Sequence, residues 1–254
     1  MANDLIQHNP WDELRAHTSA RIALGRVGCS LPTTEVLKFG LAHAQARDAV
    51  HRPLDFDELQ AQLQNAGFRS LKVRSNAEDR QSYLLRPDHG RQLHEACRQQ
   101  LLQEAPAPEL VIVLADGLSA IAVQRHALPL LQAFQAHFDT DWANTPVVLA
   151  EQGRVAIGDG IAEALRARLV IVMIGERPGL TSPDSLGLYL TYAPRIGCPD
   201  SARNCISNVR PEGLPYALAA HKLDYLACQA LRLQLSGVSL KDDSNLQPVR
   251  ELPA

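Results

Sequence analysis

Three short stretches of this chain carry residue types that could do chemistry. Glu176 and Arg177 stand in Gly175-Glu176-Arg177-Pro178-Gly179, directly after the apolar run Leu169–Ile174. A Pro-Gly turn fixes the backbone, so Glu176 would sit at a defined place and could meet a ligand. The competing reading is a surface ion pair with Arg177, worth under about 1 kcal/mol. Cys205 follows Arg203 by two positions in RNCISN. A cysteine beside an arginine could be an activated thiolate. No histidine base lies near it in sequence, and a small buried residue on a loop is the plainer alternative. Asp116-Gly117 closes the apolar run Leu110–Ala115, where a phosphate or ribose would dock in a nucleotide-binding fold. The glycine fingerprint of such folds is missing, however. Gly158-Asp159-Gly160 is the nearest match, Glu163 stands where the third glycine belongs, and there is no Gly-x-x-x-x-Gly-Lys-Ser/Thr loop.

Two basic clusters are weaker candidates. His43, Arg47 and His51 recur every four residues and so share one helix face. No carboxylate or cysteine completes a metal set nearby, which favours a solvated or partner-facing surface. Lys72, Arg74, Arg80, Arg86 and Arg91 could grip an anion or an acidic partner, or simply face water. With no paired acid and base, no metal set and no nucleophile elbow, the residues read as those of a binding subunit. The rival reading is a stand-alone Rossmann-like transferase or hydrolase that uses a nucleotide through Asp116 and Glu176.

These residues need elements to hold them. Val147–Ala150, a turn at Gln152-Gly153, a helical face of Ile157, Ile161, Ala164 and Leu165, and then Leu169–Ile174 spell strand, helix, strand. The right-handed crossover of such a unit makes its two strands parallel, and ligands bind beyond the carboxyl ends of parallel strands. Leu110–Ala115 reads as an earlier buried strand, and Leu188–Ala193 as a later one. Between the first two strands a helix carries Leu118, Ile121, Leu131, Phe134 and Phe138, with a kink expected at Pro129. A last helix spans about 214–235, and the tail from Ser239, with Asp242, Asp243 and Pro248, reads as loosely held.

The N-terminal part reads as mostly helical. One helix opens at Asn9-Pro10 and runs toward Gly25. A second, capped by Thr33 or Thr34, reaches His51, and a third runs from Asp55 or Asp57 to Gly67. Leu71 and Val73 give a weak strand signal, and Asp88 is expected to cap a helix over 89–104. Ala105-Pro106-Ala107-Pro108 is the clearest linker. The expected fold class is therefore α/β: a helical N-terminal domain, 1–104, followed by a Rossmann-like parallel-sheet domain, 109–254.

Bulk properties narrow the function further. The 254 residues carry a net charge of −3, which gives no reason to expect nucleic acid or an anionic membrane as partner. No apolar run approaches the roughly 20 residues needed to span a bilayer. MANDLIQHNP lacks a signal-peptide pattern. Five widely spaced cysteines, without Cys-x-x-Cys, suit a reduced cytoplasmic compartment.

Several long motifs in fixed order resemble one family. ARIALGRVGCSLPT, LAHAQARDAVH, LADGLSA, GRVAIGDGIAEAL, IGERPGL and RNCISN are similar to the small subunit of ethanolamine ammonia-lyase, across nearly the whole chain. The resemblance implies a helical N-terminal part and a Rossmann-like C-terminal part. It implies adenosylcobalamin as cofactor, held against a large TIM-barrel subunit that carries the substrate and most catalytic groups. It implies conversion of ethanolamine to acetaldehyde and ammonia in an assembly of several large–small pairs. Three cobalamin contacts carry over residue by residue: Val155 from the GRV motif, Glu176 from GERPG and Cys205 from R-x-C-I-S-N. No catalytic residue or metal ligand carries over to this chain. Under this resemblance the segment 72–91 and the helix with His43 become candidate subunit contacts. The few residues ahead of the first helix favour the cytoplasm, with a bacterial microcompartment as the alternative.

Overall fold

Leu110–Ala115 and Leu169–Gly175 are almost purely apolar, and every residue of both is buried. Runs like these form central strands of a parallel sheet covered on both faces. In the structure, a computed structural model that describes residues 5–246, they are neighbours in one six-stranded sheet. The strands are β1 (Ser70–Arg74), β2 (Leu110–Ala115), β3 (Val147–Glu151), β4 (Leu169–Gly175), β5 (Leu186–Tyr192) and β6 (Asn204–Val209), in the spatial order β1-β3-β2-β4-β5-β6. The first four in that order are parallel; β5 runs antiparallel to β4, and β6 antiparallel to β5. The strands of the expected strand–helix–strand unit, β3 and β4, are thus parallel, but β2 lies between them.

Alternation along the strands divides the core in two. Leu110, Ile112 and Leu114 of β2 face α6 (Ala120–Gln135), α8 (Tyr216–Leu233) and α2 (Phe56–Asn65). Val111, Val113 and Ala115 face α7 (Ile157–Leu165), with α5 (Glu95–Leu102) outside it. The expected face of α7, Ile157, Ile161, Ala164 and Leu165, is buried there. Gly158 lets α7 lie close to the sheet, since a Cβ on it would fall 2.4 Å from Val172 Cγ2. Asp159 is buried on the same helix, and Arg203 answers its charge with two hydrogen bonds of 2.6 and 2.7 Å. Such fork-to-carboxylate geometry is what a buried ion pair needs to offset desolvation. Pro129 lies inside α6, which continues to Gln135.

Several expectations are corrected. The first helix is only a 3₁₀ turn, Asp12–His17; Asn9 accepts from the Trp11 N–H (3.0 Å) in a local turn rather than starting a long helix. Gly25, at φ +73°, instead lies where Gln7 and Arg26 form an antiparallel bridge. α1 (Thr33–His51) has the expected span, but Pro32, not a threonine, precedes it. Asp55 caps α2 through the Glu58 N–H (2.9 Å). The single helix expected over 89–104 is broken. α3 (Arg80–Leu85) and α4 (Pro87–Gly90) come first, and His94 then caps α5.

Cys205 lies on a strand, not a loop. β6 escapes detection because NCISNV is an edge strand with only Ile206 and Val209 buried. The tail is held as far as it is described. Ser244 is fully buried with its carbonyl at His221 Nε2 (3.1 Å), and Lys222 pairs with Asp242 (3.0 Å). Pro248 lies outside the described residues. The weak strand β1 precedes the proline linker and pairs with β3, so the sheet draws on both sides of segment 105–108.

The loops after β2 and β4 meet at two glycines. A Cβ on Gly175 would lie 2.0 Å from the Ser119 carbonyl oxygen, and one on Gly117 would lie 2.3 Å from the Gly175 carbonyl oxygen. Both contacts are with backbone, so no side-chain rotation relieves them. Gly175→Ala is expected to lower unfolding free energy by roughly 1–3 kcal/mol, read from denaturant midpoints. Unchanged stability would mean that these loops do not pack as described.

Candidate functional site

The chain leaves β2 for α6 on one face of the sheet and leaves β3 for α7 on the other. Between two such neighbouring strands a crevice opens at their carboxyl ends, the usual ligand position in open sheets. Here the crevice is filled by the protein itself. The Asp116 carboxylate accepts the N–H groups of Gly117 (2.9 Å), Gly153 (3.0 Å) and Gln152 (3.1 Å), with Arg80 Nη1 3.7 Å away. Burial pushes its carboxyl up to about 6, against the lowering by Arg80 and by the three amides. The amides that a phosphate would need are taken, which removes the physical basis of the nucleotide reading.

The open surface lies one layer further out. The β5–β6 register sets Tyr189 opposite Cys205. A hollow of about 350 Å³ is lined by Val155, Tyr189, Arg154 and Cys205, among others. A second, of about 430 Å³, shares Val155, Tyr189 and Arg154 and adds Glu176, Arg177 and Tyr83. The three residues singled out from sequence, Val155, Glu176 and Cys205, therefore surround one side chain, Tyr189.

Each is held by a different element. Val155 is half-buried on the loop between β3 and α7. Glu176 is the residue after β4. Its carboxylate accepts from the Ser185 hydroxyl and from the Asn208 N–H (3.3 Å), and its own N–H donates to the Ser185 carbonyl (2.9 Å). Gly187 leaves room for it, since a Cβ there would lie 2.9 Å from Glu176 Oε1. Cys205 is exposed, yet its thiol is pushed up, first by surrounding protein and then by the Glu176 charge, against a lowering by the Tyr189 hydroxyl. Arg203 does not activate it, because that guanidinium is turned to Asp159. Cys205 is therefore a neutral thiol and not the thiolate that the neighbouring arginine suggested.

Sequence reasoning missed Tyr189, Arg154 and Tyr83. Tyr83 is buried between two guanidinium groups, Arg154 at 4.1 Å and Arg80 at 4.6 Å from its ring centre. Its hydroxyl reaches the Gly153 carbonyl at 3.3 Å. The available signal for Tyr189 was its alternation with buried Leu188 and Leu190, which turns it to the other side of the strand. The basic segment is mostly consumed internally. Lys72 meets Asp57, Arg74 meets His94 (3.0 Å), Arg80 reaches the Val50 carbonyl (2.7 Å), and Arg86 pairs with Asp88 (2.8 Å). His43, Arg47 and His51 are exposed on α1.

The Asp116 tie makes a pH prediction. A carboxyl raised to about 6 in the folded state holds its proton between about pH 4 and 6, where the unfolded chain has released it. Its contribution is complete below that window and is lost as pH rises through it. Relative to Asp116→Asn, which cannot titrate, wild-type unfolding free energy should fall between pH 4 and 6. A pH-independent difference in denaturation experiments would refute the raised value.

Comparison with known proteins shows the family. A family profile described as ethanolamine ammonia-lyase light chain (EutC) matches residues 8–241. A protein of Azotobacter vinelandii named ethanolamine ammonia-lyase small subunit is 56% identical over 243 residues, covering 94% of this chain and 90% of its own. One of the same name from Pseudomonas fluorescens is 58% identical over 244 residues, covering 94% and 89%. A third, from Pseudomonas aeruginosa, is 55% identical over 249 residues, covering 96% and 91%. With a match that spans nearly all of its length, the chain belongs to the ethanolamine ammonia-lyase light chain family.

Proposed function

We propose that this chain is the small subunit of an adenosylcobalamin-dependent ethanolamine ammonia-lyase, and that Val155, Glu176 and Cys205 contact the cofactor where the large subunit covers it. The observation that carries the reading is the convergence of these three residues around Tyr189 at the carboxyl edge of the sheet. The residues present suit a corrinoid. A corrin ring is rimmed by carboxamides, and Glu176 is a fixed carboxylate able to accept their N–H groups, each such bond worth about 1.5–3 kcal/mol. Val155 and the Tyr189 ring offer apolar contact, and Cys205 a soft, weakly polar one. Its neutral thiol adds no charge beside Glu176.

When bound, the cofactor supplies a radical by homolysis of its cobalt–carbon bond; this chain binds and orients it. The two hollows are open to solvent and hold no paired acid and base. They are suited to one side of a large flat ligand, which leaves the other side for a second protein.

A partner is also supported by the N-terminal surface. Trp11, Leu31, Val36, Leu37, Phe39 and Leu41 are all exposed. α1 has 19 residues, yet buries only Glu35 and Ala49. Apolar surface of this extent is characteristic of a protein interface. Under this reading α1 docks on the large subunit in an assembly of several large–small pairs, with ethanolamine bound on the large subunit. Among the described residues no helix is long and apolar enough to cross a membrane. All five cysteines are free, which favours the cytoplasm or a bacterial microcompartment.

Two experiments test this. In the complex with the large subunit, Glu176→Ala should weaken cobalamin binding about 10- to 100-fold, followed by corrin absorbance, and Glu176→Gln should weaken it less. Cobalamin affinity equal to wild type in both variants would remove Glu176 from the site. Separately, Leu37→Asp should abolish co-purification with the large subunit while the thermal midpoint of the isolated chain stays unchanged. Intact pairing would free α1 from the interface.

A further inference from the structure

We infer that Arg91 and Arg154 hold the phosphodiester of the corrinoid's nucleotide tail, and that the tail continues along the apolar side of the larger hollow beside them; this rests on the cofactor reading above. The 350 Å³ hollow that contains Val155 and Cys205 is also lined by three arginines, Arg91, Arg154 and Arg203, and by Asp200. Their charges can be sorted. Arg203 is neutralised by buried Asp159, and Asp200 leans on Arg203 at 3.5 Å. Arg91 and Arg154 remain, and among the described residues neither has a carboxylate partner.

Arg154 is built into place. Its Nη2 donates to the Tyr83 carbonyl (3.2 Å), and its guanidinium lies over the Tyr83 ring, while its Nε is buried with no acceptor among the described residues. Buried donors are almost always satisfied, so an unpaired one on the wall of a hollow points to a missing acceptor. Arg91 starts from the adjoining backbone. The Arg154 N–H donates to the Gly90 carbonyl at 2.7 Å, and Gly90 has no side chain to block the Arg154 stem, since a Cβ there would lie 2.9 Å from Arg154 Cγ. Arg91 is exposed and makes no side-chain hydrogen bond among the described residues, unlike the other four cations of segment 72–91. Two guanidinium groups on bonded loops, neither with a carboxylate partner among the described residues, form an anion clamp.

Cobalamin's periphery is otherwise made of neutral carboxamides, and its phosphodiester carries the negative charge. Beyond Arg91 a hollow of about 690 Å³ opens, sharing Arg91 and Ala156 with the first; Leu93, Gly160 and Ile196 form an apolar side of it, and Glu95 and Arg98 lie among its polar lining. Bare Gly160 widens it, with the nearest atoms to a built Cβ at 3.4 Å (Leu93) and 3.9 Å (Ile196). A flat base attached to the phosphodiester fits that apolar side.

The test compares cobalamin with cobinamide, which keeps the corrin ring but lacks the phosphate, ribose and base. Binding to the large–small complex is read by corrin absorbance. Arg91→Ala should weaken cobalamin about 10- to 100-fold and leave cobinamide unchanged, and Arg91→Lys should restore part of the loss. Because the Arg91 side chain is exposed and partnerless, this variant should fold normally. Equal effects on both corrinoids, or none on either, would overturn the clamp but leave the cofactor reading intact. Inorganic phosphate that binds the wild-type complex but not Arg91→Ala, with cobalamin affinity unchanged, would assign the clamp to a different anion and overturn it too. A wild-type complex that retains neither corrinoid would instead defeat the cofactor reading itself.

Discussion

A carboxylate taken out of water must be matched by donors or give up its charge, and Asp116 shows what that constraint does to a sheet edge. Its two oxygens gather one amide from the turn after β2 and two from the turn after β3. They also draw Arg80 from α3 to within ion-pair distance. The loop so fixed is Gln152–Ala156, which carries Arg154 and Val155. Arg80 in turn packs on Tyr83, whose other face takes Arg154. The tie therefore sets the positions of two residues that line the open hollows without touching the hollows itself. It also places the protein's own carboxylate on the amides that an anion would need at this sheet edge.

The other half of the site hangs on a second buried ion pair. Arg203 stands immediately before β6 and is tied to Asp159 in α7, with Thr191 of β5 as a further acceptor at 3.2 Å. β6 is an edge strand of mostly exposed residues, with little hydrophobic burial to fix its place. Its pairing with β5 sets the register that brings Cys205 to Tyr189, and the ion pair anchors its start to the core. Breaking a buried pair leaves a lone charge in the interior, so such contacts resist rearrangement more than they add net stability. That suits a strand whose position matters more than its packing.

How much of this was legible follows from which residues were buried. The central strands and α7 were read nearly to the residue, because their apolar runs reflect burial on both faces of the sheet or against it. The motif residues Val155, Glu176 and Cys205 could be named from resemblance. That they surround Tyr189 could not, because the antiparallel β5–β6 pairing is a long-range fact with a weak local signal. β1 was visible only as Leu71 and Val73, and its place beside β3 was invisible. The long helix expected after Asp88 failed because helix propensity over 89–104 does not register that Arg74 and Gln92 give backbone carbonyls to His94 and Asn76. The charges misled in both directions. Arg203, which looked like an activator of Cys205, is a core residue, while Arg91, one of five similar cations, is the one without a side-chain partner among the described residues.

The two ties also bear on how the site binds. Neither the Asp116 network nor the Asp159–Arg203 pair includes a residue that must let go for a ligand to enter. Glu176 is likewise held by Ser185 and Asn208. Arg154 and Glu176 are thus held before binding, whereas Arg91, exposed and without a side-chain hydrogen bond among the described residues, has side-chain entropy still to lose. The N-terminal surface is of the opposite kind. α1 exposes Val36, Leu37, Phe39 and Leu41 and buries two of nineteen residues, so the described residues leave most of its surface uncovered. One part of the molecule is polar and tied by hydrogen bonds and ion pairs, and under the cofactor reading it holds a ligand whose chemistry it does not itself perform. The other exposes apolar side chains that the described residues leave uncovered, and under the same reading the large subunit covers them. Under that reading a pre-set half-site beside an uncovered surface divides one enzyme's work between two chains, because the ligand face is built in one chain while closure over it waits for assembly.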